Sequence, residues 1–177
     1  MECRFHARRR PDSLRRRKRR TPLGNRFGPR TNEFQPDGRL VVTASWDNSA
    51  KIWDAKTGQS VRKLSGGHTR YINSATFAPD GKTILTAGDD RTARFWDVHS
   101  GRLMPKSLVG HTDRIRRAVF SPSGRRVLTV SDDKTARIWD ADSSQAVRVL
   151  AGHEWAVLDG VFSHDDKFVI TGSEDNR

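Results

Sequence analysis

Cysteine is almost absent from this sequence. The 177 residues hold one, Cys3, which excludes a disulfide framework and a cysteine-based zinc site. Long apolar runs are missing too. Nothing approaches the ~18 apolar residues of a membrane-spanning helix, and no apolar segment follows the N-terminal charges as a secretory signal requires. A cytoplasmic location is therefore expected. Neither standard glycine-rich phosphate loop occurs. Apolar residues are only 34% of the chain and the mean hydropathy is -0.76. Either the fold is rich in surface or part of the chain does not fold.

What is abundant is positive charge, with a net of +12. Its location decides what it means. Residues 1–30 hold eleven Arg and Lys18 against Glu2 and Asp12, while the rest of the chain holds 21 basic and 19 acidic groups. The basic character belongs to a leader, densest at Arg15, Arg16, Arg17, Lys18, Arg19 and Arg20. This leader has few apolar residues and contains Pro11, Pro22 and Pro29. It cannot bury enough surface to offset its ordering entropy, so residues 1–33 are expected to be disordered. With one Ser and two acids it is a poor match to a transit peptide.

Beyond the leader the sequence repeats. Trp-Asp recurs at Trp53-Asp54, Trp96-Asp97 and Trp139-Asp140, each step 43 residues. Gly67-His68, Gly110-His111 and Gly152-His153 keep nearly the same step, as do Phe34, Phe77, Phe120 and Phe162 and the set Asp47, Asp90, Asp133 and Asp175. Each unit reads as four short strands. In the third, RIRRAVF is strand a and SPSG a tight turn, equivalent to QPDG and APDG. RRVLTV is strand b, TARIWD strand c and AVRVLA strand d. Pro presets φ and Gly supplies φ > 0 at such turns, and the spacing points to an all-β antiparallel fold.

A period of 42–43 residues with GH, a PDG-type turn and a closing WD resembles the WD40 β-propeller family. The resemblance covers residues 34–177, and the wording of the repeats is similar to bacterial WD40 proteins. It implies blades of four antiparallel strands: 34–66 as blade one, 67–109 as blade two, 110–151 as blade three and 152–177 as a partial blade four.

The family's buried tetrad of Trp, Ser/Thr, His and Asp carries over residue by residue. Blade two would use His68, Thr86, Asp90 and Trp96, and blade three His111, Thr129, Asp133 and Trp139. Blade one offers Thr43, Asp47 and Trp53, with Asn25 at the GH register. Blade four offers His153, Thr171 and Asp175. Such a chain is satisfiable: indole donates, hydroxyl accepts and donates, neutral imidazole does both, and carboxylate accepts. A Thr/His/Asp set also has the composition of a hydrolase triad. It recurs in every unit, however, and a triad leaves the Trp unexplained. No catalytic residue, metal ligand or cofactor is assigned. His6, His99 and His164 lack a second ligand at metal spacing, and Asp89-Asp90, Asp132-Asp133 and Asp165-Asp166 read as turn carboxylates.

The resemblance also implies a partner-binding face at the GH loops and the Asp turns. Carried over, its contact positions are Trp46; Tyr71, Asn73 and Asp89; Arg114, Arg116 and Asp132; Ala156, Leu158 and Glu174. Exposed aromatic and Arg residues are typical hot spots, which favours Trp46, Tyr71, Arg114 and Arg116. Trp155 is a further surface aromatic or a blade-edge cover.

Strand a of blade one should be damaged, because Gly28, Pro29 and Glu33 occupy its register. Thirteen strands remain. Closed propellers take about four to eight blades of four strands, so an open arc is expected. Its bare edges invite self-association. This suggests a piece of a larger WD40 protein, its leader from another reading frame. The implied function is a non-enzymatic protein-interaction scaffold, without membrane contact. The alternative is nucleic-acid binding through the Arg-rich leader.

Overall fold

The computed structural model describes residues 32–175. Among these residues there are fourteen strands and no helix. The first sheet holds β1 (Asn32–Phe34), β2 (Leu40–Ala44), β3 (Ala50–Asp54) and β4 (Ser60–Leu64). The second holds β5 (Ile72–Phe77), β6 (Thr83–Gly88), β7 (Thr92–Asp97) and β8 (Leu103–Val109). The third holds β9 (Ile115–Phe120), β10 (Arg126–Ser131), β11 (Ala136–Asp140) and β12 (Ala146–Leu150), and β13 (Val157–Phe162) pairs with β14 (Val169–Ser173) in the fourth. Each strand lies beside its sequence neighbour, and every pair is antiparallel.

Two linked expectations are corrected, the first being that the disordered leader runs to residue 33, since Asn32 and Glu33 are paired in a strand. Blade one does have a strand a, three residues long, pairing Asn32, Glu33 and Phe34 with Thr43, Val42 and Val41. The described strands therefore number fourteen rather than thirteen. Of the residues expected to damage it, Gly28 and Pro29 lie outside the described residues, and the polar Glu33 does not prevent pairing. Pairing needs only backbone groups, and the half-buried Glu33 carboxyl finds a hydrogen bond at Thr76. Burial raises its pKa, against Thr76 and the charge of Arg117.

Local chemistry sets the turns. Gly38, Gly81 and Gly124 close the a–b hairpins at φ of 74°, 68° and 73°, the left-handed region that glycine enters without cost. In blade two the Gly81 N–H returns to the Ala78 carbonyl at 2.8 Å. The aspartate of each Trp-Asp pair holds the c–d turn. The Asp54 carboxylate accepts the Thr57 N–H and hydroxyl at 2.7 and 2.9 Å. Asp97 does the same with Ser100, and Asp140 with Ser143.

The core lies between sheets. Val42, Ala44, Ile52 and Leu64 of the first sheet pack with Ile72, Phe77, Ile84 and Trp96 of the second. From the other face of the second sheet, Leu85, Ala87, Phe95 and Leu108 meet Ile115, Ala118, Val127 and Trp139. Strand β6 therefore has buried residues on both faces, and its apolar alternation is masked as a nearly continuous buried run. Leu85 and Leu128 are covered by the following sheet, whereas Ile170, at the same register of β14, is 68% exposed.

Candidate functional site

The tetrad residues of blades two and three come together as chains of hydrogen bonds. The Trp96 indole N–H donates to the Thr86 hydroxyl at 2.7 Å, and Thr86 lies 2.8 Å from His68 Nε2. His68 Nδ1 lies 2.9 Å from an Asp90 carboxylate oxygen. Blade three repeats this: Trp139 to Thr129 at 2.8 Å, Thr129 to His111 Nε2 at 2.7 Å, and His111 Nδ1 to Asp133 at 2.7 Å. The carboxylate only accepts, so the proton of the neutral imidazole sits on Nδ1, facing it, and Nε2 accepts from the hydroxyl, which in turn accepts the indole N–H. The glycines before His68 and His111 leave room for the indole ring of their blade. A Cβ at Gly67 would lie 2.6 Å from the Trp96 ring.

Each chain ties four segments of one blade together. Strands b and c supply Thr and Trp, the loop entering the blade supplies His, and the b–c turn supplies Asp. Asp90 also accepts the Thr69 N–H at 3.1 Å and the Thr92 hydroxyl at 2.8 Å. Burial opposes its ionisation. The hydrogen bonds from His68, Thr92 and Thr69, with the charge of His68, outweigh that and hold the pKa at about 2. Asp133 is lowered by the same balance of burial against Thr135, His111 and Thr112. Burial pushes the His111 imidazole below its usual pKa, more strongly than Asp133 raises it.

The incomplete sets differ. In blade four His153 reaches Thr171 at 2.9 Å and Asp175 at 2.8 Å, with the His153 side chain 20% exposed. In blade one Trp53 donates to Thr43 at 2.9 Å. Asp47 instead serves its own turn through the Ser49 hydroxyl at 2.6 Å, and pairs with Lys63 at 3.7 Å. Asn25 and Arg15–Arg20 lie outside the described residues. The Thr86 and Thr129 hydroxyls are fully buried, whereas Thr171 is half-buried. Among the described residues no group of three or more His, Cys, Asp or Glu could hold a metal ion.

The expected contact positions are not equivalent to one another. Trp46 and Tyr71 stack across the junction of blades one and two, with ring centroids 5.5 Å apart and planes 16° from parallel. They remain 37% and 48% exposed. The Ile72 N–H donates to the Ser45 carbonyl at 3.2 Å and brings the two segments side by side. Arg114 and Arg116 both close on Asp132, Arg116 from Nε at 2.5 Å and from Nη2 at 3.0 Å. Burial of Asp132 is outweighed by these two guanidinium groups, and its pKa falls. Leu158, Glu174 and Trp155 are exposed, and Ala156 is half-buried. Asn73 departs from its expected place on the surface. It is buried, and its amide donates to Asp89 at 2.7 Å and to the Ile115 carbonyl of the next blade at 2.9 Å. It is a junction strut.

Sequence reasoning saw Asp54, Asp97 and Asp140 only as landmarks. Their turn-holding role had a signal, a Thr or Ser three residues on in every unit.

Comparison with known proteins agrees with this geometry. The chain is 47% identical over 30 residues to Ribosome assembly protein 4 of Chaetomium thermophilum, covering 17% of this chain and 6% of that protein. It is 54% identical over 28 residues to Ribosome assembly protein 4 of Saccharomyces cerevisiae, covering 16% of this chain and 5% of that protein. These alignments thus span a small fraction of the relatives' length. The family described as WD domain, G-beta repeat matches four times, over residues 30–54, 58–97, 104–140 and 144–177. With four repeats matched over most of its length, and with Trp-to-Asp hydrogen-bond chains in its blades, the chain belongs to the WD40-repeat family.

Proposed function

We propose that this protein is a non-enzymatic interaction scaffold, working within a larger propeller or assembly, whose binding surface is the face formed by the Gly-His loops and the b–c turns. The observation that carries this reading is the Trp46–Tyr71 stack. Two large aromatic rings held parallel, with more than a third of each exposed, offer wide contact area at little entropic cost. The tetrads supply the rigid support such a surface needs. The relatives' name supports no particular assembly, because an aligned stretch of 28–30 residues is shorter than one repeat.

The test is affinity capture from the native host with the W46A/Y71A double variant beside wild type. A partner captured by wild type and by a variant of the opposite face, but lost from W46A/Y71A, supports the reading. Identical captures from all three proteins would overturn it. A second reading, nucleic-acid binding through Arg15–Arg20, is supported by the charge run of the leader alone. Filter binding with and without residues 1–30 checks it. Unchanged, salt-insensitive retention after truncation counts against it.

A further inference from the structure

The aromatic stack occupies a register that the other junctions fill differently. One repeat on from Trp46 and Tyr71 stand Asp89 and Arg114, and the next junction has Asp132 and Ala156. All three junctions form between similar sheets, so the fold does not require an aromatic ring at either position. The rings are free to serve a ligand.

What the rings are suited to is set by their neighbour. The Asp89 N–H donates to the Tyr71 carbonyl at 2.9 Å, which fixes the Asp89 backbone beside that of Tyr71. Its carboxylate Oδ1 accepts the Asn73 amide at 2.7 Å. Its other oxygen takes no hydrogen bond among the described residues. Arg114 feels the charge of Asp89 but gives its guanidinium to Asp132. A positioned carboxylate thus stands on the turn bonded to the backbone of Tyr71, and the nearby Arg114 and Arg116 of blade three are engaged by Asp132. Aromatic faces attract cations through their quadrupole, and a carboxylate adds a charge-assisted hydrogen bond.

We propose that Trp46, Tyr71 and Asp89 form a subsite for one cationic side chain, lysine or arginine, presented by a partner protein. The proposal rests on the interaction reading above and adds the chemistry of what is bound. Arg70 is exposed and precedes Tyr71 in the chain, which makes it the first of this chain's own cations to test as a competitor. Its removal should strengthen binding.

The test uses the full chain with the Trp46 indole N–H observed by NMR, and three capped pentapeptides, Gly-Gly-X-Gly-Gly, with X arginine, lysine or norleucine. The arginine and lysine peptides should shift the Trp46 resonance saturably at millimolar concentration, with norleucine about fivefold weaker or more. D89N should weaken the arginine peptide by a similar factor, and R70A should strengthen it. Unmoved Trp96 and Trp139 indole resonances show that each variant stays folded. Equal binding of norleucine, indifference to D89N, or no shift with any peptide would each overturn the cationic subsite. Should norleucine bind as well as arginine while W46A/Y71A still loses the captured partner, the interaction face stands and only its cationic specificity fails.

Discussion

Trp139 donates its indole N–H to the Thr129 hydroxyl across two adjacent strands at 2.8 Å, and both side chains are buried. That bond begins a chain running through His111 to Asp133 in the b–c turn. The interior of a blade and its outer turn are therefore mechanically one unit.

Replacing Thr129 by Val keeps the shape but removes an acceptor and a donor at once. Trp139 and His111 are both left without their partner, and T129V should cost about 1–3 kcal/mol. In blade one the Trp53–Thr43 pair has no histidine continuing from it among the described residues, so T43V should cost less. Urea unfolding of the two variants checks this. Equal losses would show that the chain beyond Thr contributes nothing.

Acid should weaken the fold in two stages. Burial keeps His111 below its usual value of 6.5, so below pH 6.5 the unfolded chain takes up the proton more readily and stability begins to fall. Asp90 has a folded pKa of about 2 against a usual 3.8. Its contribution, about 2 kcal/mol, is complete above pH 3.8 and is lost between there and pH 2. Stability measured from pH 7 to pH 2 should show both slopes in wild type. The lower slope should shrink in D90N.

Ser144 sits at φ 60°, at the register where Gly58 and Gly101 adopt 68° and 70°. Among the described residues its buried hydroxyl oxygen also has no hydrogen-bond partner. S144G should therefore raise stability by about 1 kcal/mol. A lower melting temperature for S144G would contradict this.

Asn73 and Tyr71 belong to the same expected contact set and should behave in opposite ways. N73A strips a buried junction of two hydrogen bonds and should cost about 1–3 kcal/mol. Y71A removes a half-exposed ring and should change stability by less than about 1 kcal/mol. Thermal unfolding of the two variants separates a strut from a contact residue.

Much of the fold was legible because a repeat writes the same instruction several times. A single Trp-Asp or Gly-His pair means little, but their shared period identified strands, turns and tetrad positions together. Asn73 was misplaced because a repeat register tells which strand a residue lies on and not what the next blade puts against it. Strand β1 was underestimated for a similar reason. Side-chain pattern says little about a three-residue strand whose pairing uses only backbone groups.

The sequence by itself determined the all-β class, the blade period and the residues of the hydrogen-bond chains, since these follow from local turn chemistry and from spacing. Only the tertiary structure decided what the face of the Gly-His loops and b–c turns presents. It stacked Trp46 on Tyr71, joined Arg114 and Arg116 to one carboxylate, and buried Asn73. Those outcomes depend on how one sheet meets the next, and contact across a junction joins residues that no period along the chain pairs.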